Sequence, residues 1–298
     1  MTDPRRGMAA RMPTMRSRAP DEVKALGRRV ARGVGRATAP ARMLPAFLVV
    51  GAQRAGTTSL HRALMAHPDV VPPLFHKGIH YFDVAYGRGM RWYRGHFPVT
   101  AVARRRVAGL PQTFESSGYY MHHPLAIERI AADLPDVRLV VMLRDPVERA
   151  YSAHRHECAR GFDHLPFEEA LDREPERLVG EVARMRADPS YVSVSHRHHS
   201  YVDRGQYAGQ LVRMFDAVGR DRVHVLGSED FFERPEEEFA RLLDFLGLTR
   251  WQPDGFERWN ARPRAPMAAA TRARLEAHFA PHDDALARLL GYEPSWRR

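Results

Sequence analysis

The stretch AFLVVGAQRAGTTSLHRALMAHP, residues 46–68, decides the fold. It begins with five apolar residues, 46–50, of the kind that form a strand buried on both faces. Leu60 and Leu64 then recur at helical spacing, and the segment closes on a proline. Residues 51–58 join the two parts, so the stretch predicts a strand, a tight loop and a helix in that order.

Two further apolar runs predict the rest of a sheet. RLVVML, residues 138–143, is followed by a helical pattern with Pro146 near its first position, and VHVLGSED, residues 223–230, leads into another helix. A last helix is predicted over residues 268–290. Strands that alternate with helices predict an α/β fold, a single domain with a central parallel sheet of the P-loop type flanked by helices.

Composition excludes several classes of protein. The 298 residues are 44% hydrophobic, enough for a sizeable core, yet no run of about 18 apolar residues exists, so we expect no transmembrane segment. The first twenty residues lack the apolar core of a secretory signal. The single cysteine, Cys158, excludes an intramolecular disulfide and a multi-cysteine zinc site. We therefore expect a cytoplasmic protein.

The formal charge of +10 is concentrated at one end of the chain. Residues 1–45 contain eleven Arg and Lys and three Asp and Glu, which leaves 35 basic and 33 acidic residues for the remainder. We predict a basic N-terminal tail over residues 1–45, partly disordered or helical, and a folded domain over 46–298. Because the domain is close to neutral, no nucleic-acid partner is expected, and the oligomeric state is left open.

The loop of the opening stretch reads GxxxxGTT between a strand and a helix. In nucleotide-binding loops of this spacing, backbone NH groups and the helix dipole surround phosphate oxygens. Thr57 stands where an ATP-binding loop carries Lys, which argues against a triphosphate with magnesium. Arg54 supplies a cation instead. The predicted donor-binding residues are Gln53, Arg54, Ala55, Gly56, Thr57 and Thr58.

The motifs VGAQRAGTTSL and LRDPVERAYSAH resemble those of the sulfotransferases that use 3′-phosphoadenosine 5′-phosphosulfate (PAPS), especially the heparan-sulfate N- and O-sulfotransferases and their bacterial relatives. The resemblance implies that the first motif binds the 5′-phosphosulfate, with Arg54 where that branch usually has a catalytic Lys. It implies that Arg144 and Ser152 bind the 3′-phosphate. It extends over most of the chain from about residue 47.

A third segment, HKGIHYFD, resembles the family stretch in which a catalytic Glu stands two residues before His. Gly78 occupies the position of that Glu, so the family's base is absent. His80, which matches, becomes the candidate base, because a neutral imidazole can accept a proton from an attacking hydroxyl or amine. Lys77 is one of only two Lys in the chain and is a second catalytic candidate.

Two more segments resemble the family. FESSGYY resembles the wall of the acceptor cleft and predicts that Glu115 and Ser116 contact the acceptor, with a buried structural role for Glu115 as the alternative. DRGQYAGQL predicts that Tyr207 helps to close over the nucleotide. A metal site is not expected, since the histidines of SVSHRHHSY, residues 193–201, have no Cys or carboxylate at ligand spacing and predict a mobile acceptor loop.

The resemblance implies transfer of a sulfuryl group from PAPS to a hydroxyl or amine of a glycan or a small molecule, without a metal. Two other functions are left open by the residues. A small-molecule kinase would bind ATP with magnesium, and a catalytically impaired relative would bind the nucleotide without transferring the group.

Overall fold

In the described residues, the chain forms one parallel sheet. The computed structural model describes residue 31 and residues 33–74, 77–257 and 265–298. The strands are β1 (Phe47–Gly51), β2 (Phe114–Ser116), β3 (Arg138–Leu143) and β4 (Val223–Gly227). They are hydrogen-bonded in the order β2-β1-β3-β4 and all run parallel. The carboxyl ends of β1 and β3 are therefore neighbours at one edge of the sheet.

Helices follow or connect these strands. In chain order they are α1 (Thr57–Ala66), α2 (Tyr81–Val84), α3 (Met90–Arg94), α4 (Thr100–Arg104), α5 (Ala126–Asp133), α6 (Pro146–Ala159), α7 (Phe167–Leu178), α8 (Glu181–Ala187), α9 (Val194–His198), α10 (Tyr207–Val218), α11 (Ser228–Glu233), α12 (Pro235–Leu246) and α13 (Ala269–Leu290). The α/β fold with a parallel sheet and flanking helices that the sequence predicts is confirmed.

Two strands differ from the sequence prediction. The strand predicted over residues 223–230 ends at Gly227, because residues 228–230 already form the first turn of α11. The short strand β2 was not among the predicted strands, since three residues that include Glu115 and Ser116 carry no apolar pattern. All three are nonetheless buried, because β2 pairs with β1 over its whole length.

Local sequence signals define the helix ends. Asp145 caps α6, and its carboxylate accepts a hydrogen bond of 2.9 Å from the amide of Val147. Pro146 takes the first helical position, where its missing NH costs nothing. Gly247 ends α12 with a φ of 65°, a left-handed conformation that glycine adopts without strain.

The end of the predicted tail packs on the domain. Ala39 is buried, and Arg42 forms an isolated bridge with Val99 while its guanidinium donates to the carbonyl of Phe97 at 2.6 Å. Residues 1–30 and Arg32 lie outside the described residues, so the prediction of a disordered or helical tail there stays a prediction. Among the described helices, none has both the length and the hydrophobicity to cross a bilayer.

Candidate active site

The loop between β1 and α1 presents the first turn of a helix at the edge of the sheet. Gly56 has a φ of 97°, and a Cβ there would lie 3.0 Å from the Phe232 ring, so this position accepts only glycine without strain. The amide of Ala55 donates to the carbonyl of Ala52 at 3.2 Å. The predicted anion donor at Ala55 is thus used inside the loop, and the amide of Ser59 donates to the carbonyl of Gly56 at 2.9 Å. The amides of Thr57 and Thr58, at the start of α1, are therefore the ones that can meet a phosphate.

Arg54 joins the two predicted phosphate sites. Its Nε donates to the Oγ of Ser152 on α6 at 3.1 Å, and its backbone carbonyl accepts a hydrogen bond of 3.2 Å from Nη1 of Arg144. Arg144 and Ser152 follow β3, so residues nearly a hundred positions apart meet at neighbouring strand ends. The arrangement places two guanidiniums and a helix N-terminus side by side, a combination suited to an anion with more than one phosphate.

Lys77 brings a third cation to the loop. Its Nζ lies 3.3 Å from Oγ1 of Thr57 and 3.1 Å from Oγ1 of Thr58. Burial first, and then the charge of Arg54, lower the pKa of Lys77 to about 8. Thr57 stands where an ATP-binding loop carries its Lys, and here an ammonium arrives from a separate segment.

The imidazole of His80 is paired with a buried acid, Asp83. Its Nδ1 lies 2.7 Å from Oδ2 of Asp83, whose side chain is fully buried, whereas 36% of the His80 side chain is exposed. The pair fixes the ring and leaves Nε2 free to face Gly78, where a Cβ would lie 3.4 Å away. No role was predicted for Asp83, although the spacing of three residues between His80 and Asp83 is a signal for such a contact.

Gly78 leaves no room for the side chain that the family usually has. A Cβ at this position would lie 2.9 Å from the carbonyl oxygen of Ser116 and 2.9 Å from the Oγ of Ser117. The imidazole of His80 therefore lies beside the backbone position from which a Glu side chain at residue 78 would begin.

Glu115 and Ser116 support this segment from beneath. Glu115 has no exposed surface, and its Oε1 accepts hydrogen bonds from the amides of Ile79 at 3.0 Å and His80 at 3.3 Å. Burial raises the pKa of Glu115. Ser116 is also buried, and its amide donates to the carbonyl of Lys77 at 2.8 Å. The contact with an acceptor that the sequence predicted for both does not fit this burial, which suits residues that position Lys77 and His80.

Two other predicted nucleotide contacts point into the protein. Tyr207 is 1% exposed, and its hydroxyl donates to the carbonyl of Arg144 at 2.8 Å. The side chain of Gln53 lies between Glu157, at 3.2 Å, and the guanidinium of Arg204. Tyr207 and Gln53 thus hold Arg144 and the loop in place. Glu157 had not been predicted, because nothing in the pattern of α6 separates it from a surface acid.

The histidine-rich segment contains the helix α9, and its His196 and His198 are buried, where the sequence predicted a loop. Nδ1 of His196 lies 2.8 Å from the hydroxyl of Tyr119, and the carbonyl of His196 accepts a hydrogen bond of 3.1 Å from Arg204. In the described residues, ligand atoms of His122, His196 and Asp203 lie within 4.8 Å of one another. The two rings stack at 4.2 Å and 13°, so their lone pairs run parallel and do not converge on one ion.

Two buried histidines of this region, His196 and His123, make stability depend on pH. Burial and then the charge of Arg204 lower the pKa of His196 to about 3. Burial lowers the pKa of His123 to about 4. The folded chain holds both neutral while the unfolded chain protonates them below about pH 6.5, so the free energy of unfolding falls as the pH drops below that value.

We expect His123→Gln, which cannot titrate, to remove about 1 kcal/mol of the loss of stability between pH 7.5 and 5.5. Glu174, whose pKa burial raises to about 7, acts in the opposite direction, so the informative quantity is the difference between the two proteins. Urea unfolding at each pH measures it. Parallel curves for variant and wild type would show that His123 is not held neutral.

A cavity of about 380 Å³ lies beside α1, next to the loop. It runs along one face of the helix from Ser59 to Ala66 and is bordered by residues 253–257. Its lining is aromatic and polar and includes Phe231, Phe256, Arg62 and Asp254. Its size and lining suit a planar heterocycle attached to a phosphate at the N-terminus of the helix.

Comparison with known proteins relates this site to one family. A family model described as "Sulfotransferase domain" matches residues 44–255, which include all four strands. Among solved structures, a sulfotransferase from Alicyclobacillus acidocaldarius is 29% identical, with a TM-score of 0.62, and the match covers 86% of this chain and all of that one.

Two curated relatives extend the comparison. The membrane-associated sulfotransferase kil1 of Dictyostelium discoideum is 23% identical over 85% of this chain and 67% of its own length. Heparan sulfate glucosamine 3-O-sulfotransferase 6 of Mus musculus is 27% identical over 92% of this chain and 78% of its own length. The resemblance to the heparan-sulfate branch and to bacterial sulfotransferases that the motifs carry is confirmed.

Proposed function

This chain belongs to the sulfotransferase family, and we propose that it transfers a sulfuryl group from PAPS to a hydroxyl or amine of a glycan. One observation carries the choice of donor: Arg54 contacts both Ser152 and, through its carbonyl, Arg144, so an anion site at the helix N-terminus adjoins one at the end of β3. PAPS has a phosphosulfate and a separate 3′-phosphate, which matches two adjacent sites. The aromatic cavity beside α1 suits its adenine.

The proposed reaction is an in-line displacement at sulfur. The acceptor oxygen or nitrogen forms a bond to sulfur while the bond between sulfur and the bridging phosphate oxygen breaks, and adenosine 3′,5′-bisphosphate leaves. Arg54 and Lys77 neutralise the charge that develops on the leaving oxygen. On the opposite side, Nε2 of His80 accepts the acceptor's proton, and Asp83 stabilises the imidazolium that results.

We assign His80 as the general base because its imidazole lies beside Gly78, the position at which the family's catalytic Glu is absent. The Nε2 atom faces the backbone of residue 78, the position from which a Glu side chain would project.

A glycan acceptor is favoured by the relationship to a heparan sulfate glucosamine 3-O-sulfotransferase, and a phenolic or lipid acceptor is the alternative. The single cysteine supports a reducing compartment.

The donor site predicts how binding changes with pH. Lys77, with its pKa near 8, is charged at pH 7 and largely neutral at pH 9, so affinity for the anionic bisphosphate is expected to fall by up to about tenfold over that range. Lys77→Arg keeps its charge and should remove most of this dependence. Calorimetric titration with adenosine 3′,5′-bisphosphate at pH 7, 8 and 9 measures both. An equal loss of affinity in the two proteins would assign the dependence to another group.

Transfer of radiolabelled sulfate from PAPS to a panel of amino sugars, neutral oligosaccharides and phenols tests the function. The proposal expects a labelled sugar and stoichiometric release of the bisphosphate. ATP with magnesium serves as the comparison donor, because a kinase would label the panel from ATP. Binding of the bisphosphate without transfer to any acceptor would identify a catalytically impaired relative and contradict the proposal.

A further inference from the structure

Residues 33–46 and 86–112, which we call the arginine surface, contain basic residues and no acidic ones. Eight arginines lie in these two segments, and neither segment has an Asp or Glu. The arginines are Arg36, Arg42, Arg88, Arg91, Arg94, Arg104, Arg105 and Arg106. Since the chain as a whole has 36 acidic residues, such a gap concentrates positive charge on one part of the molecule.

The two segments form one packed unit. The amide of Met43 donates to the carbonyl of Pro98 at 2.9 Å, and Nε of Arg94 donates to the carbonyl of Arg42 at 2.6 Å. A Cβ on Gly35 would lie 2.5 Å from the carbonyl oxygen of Gly95, so the chains approach there as closely as two backbones can. Residues 35–43 and 94–98 are therefore held together by the fold, and residues 99–110 follow directly along the chain.

Most of these guanidiniums face solvent without an acidic partner. All but Arg42 and Arg94 are exposed. Within the described part of the chain, no carboxylate lies within 4.0 Å of an exposed arginine of this surface. Arg88 instead lies over the ring of Trp92, 5.2 Å from its centroid. By contrast, most exposed arginines in the rest of the described chain are paired with acids, such as Arg274 with Asp172 at 2.6 Å and Arg173 with Glu176 at 2.7 Å.

Exposed aliphatic side chains are interspersed among these charges. Leu110 is 83% exposed, and Val34 and Val102 are about half exposed, at 53% and 46%. Leu44 is exposed as well. Single exposed aliphatic residues are ordinary, but these four lie in the same two segments as the eight arginines and mix apolar side chains with positive charge. The carboxylate of Asp69, which packs against these segments beside Gly109, is buried.

We propose that the arginine surface binds the headgroup region of an anionic lipid bilayer. Arginines attract anionic headgroups while aliphatic side chains and a Trp enter the boundary with the acyl chains, so a bilayer satisfies both kinds of residue at once. A soluble polyanion, such as a sulfated polysaccharide, would contact the arginines and leave Leu110 and Val102 in water. The apolar component is therefore what favours lipid.

The part of this surface that the test changes, residues 104–110, lies away from the proposed active site. It precedes Gln112 and β2, as Met43 and Ala46 precede β1, whereas the loop that carries Arg54 follows the carboxyl end of β1. Trp92 and Tyr93, by contrast, pack on Tyr81 beside His80. Changes at residues 104–110 should consequently leave sulfuryl transfer in solution unaltered, which separates this proposal from the proposed function.

Sedimentation of the full chain with vesicles tests the proposal. We expect binding to phosphatidylcholine vesicles that contain about a third phosphatidylglycerol, and little binding to pure phosphatidylcholine. Arg104→Ser/Arg105→Ser/Arg106→Ser should weaken the binding by about a hundredfold, at roughly fivefold for each charge near the surface. Leu110→Ser should weaken it by about threefold to tenfold, with the charge unchanged.

Matched controls change the same residue types elsewhere. Arg173→Ser/Arg250→Ser/Arg274→Ser removes three exposed arginines that are paired with acids, and Val179→Ser removes a side chain that is 79% exposed. Both should bind vesicles as the wild type does. The proposal is overturned if the two triple variants lose binding equally, if Leu110→Ser has no effect, or if the chain binds a heparin column but no vesicle.

Discussion

Replacing Arg54 by alanine is expected to lower kcat for sulfuryl transfer by about 100- to 1000-fold, the cost of removing one preorganised group that stabilises developing charge. The guanidinium lies against Ser152 at 3.1 Å, between the N-terminus of α1 and the end of β3, where the leaving bisphosphate would separate from sulfur. Arg54→Lys keeps a cation and should retain at least about a tenth of the rate. Initial rates with saturating donor measure both variants.

A small effect of Arg54→Ala on kcat would contradict the proposed role of Arg54. A folded Arg54→Ala protein with a kcat within threefold of wild type, by the same assay, would remove Arg54 from the chemistry. In that case Lys77, 3.1 Å from Thr58, would be left as the cation that acts on the leaving group. The double variant Arg54→Ala/Lys77→Ala would then distinguish shared from separate roles, because groups that act as a unit are not additive.

Replacing His80 by alanine is expected to lower kcat by about 100- to 10,000-fold, the usual contribution of a positioned general base. The dissociation constant of the bisphosphate should change little, since in the proposed mechanism His80 contacts the acceptor and not the donor. Asp83→Asn should lower kcat less, because it removes only the group that orients Nδ1 and stabilises its charged form. His164→Ala, at an exposed position beside α7, serves as the matched control and should be neutral.

Addition of imidazole provides the sharper test of His80. If the alanine variant lacks a base and is otherwise intact, free imidazole should restore part of its rate in proportion to concentration. Failure of imidazole to raise the rate, together with a weakened affinity for the donor, would make His80 a positioning residue. Glu at residue 78 would not be expected to replace it, since a Cβ there approaches Ser116 and Ser117 to 2.9 Å.

Local patterns in the sequence predicted the parts of the fold that local interactions determine. β1 and β3 were evident because each is a continuous apolar run buried on both faces, and Pro146 indicated the start of α6 through its backbone preference. β2 was not predicted, because its burial arises from pairing with β1 and not from its composition.

The candidate site, like the fold, was predicted where local interactions determine it, whereas the contacts between distant residues were not. The loop around Gly56 follows from its spacing, and the proposal that it binds an anion rests on the same spacing. The contacts that complete the site join distant residues: Lys77 meets Thr58 from 19 positions away, and Arg54 meets Ser152 from 98. For Glu115 the sequence left two roles open, a contact with the acceptor and a buried structural role, and the side chain is buried. FESSGYY could not decide between them, because nothing in it indicates which way a three-residue strand will turn its side chains.

The kinase alternative is not supported by the comparisons, which identify a sulfotransferase domain over residues 44–255. The structure adds a physical reason. The ammonium beside the loop comes from Lys77 and is bound to the hydroxyls of Thr57 and Thr58, so it lies at the helix start. This arrangement suits the single phosphosulfate of PAPS. A triphosphate would require further positive charge beyond the loop.

Calorimetric titration of the wild-type chain with adenosine 3′,5′-bisphosphate, adenosine 5′-monophosphate and ATP with magnesium tests the central claim most directly. Two adjacent anion sites predict that the bisphosphate binds at least about tenfold more tightly than the monophosphate, with the difference lost in Arg144→Ala. Equal affinity for the bisphosphate and the monophosphate, or tight binding of ATP with magnesium alone, would contradict the account.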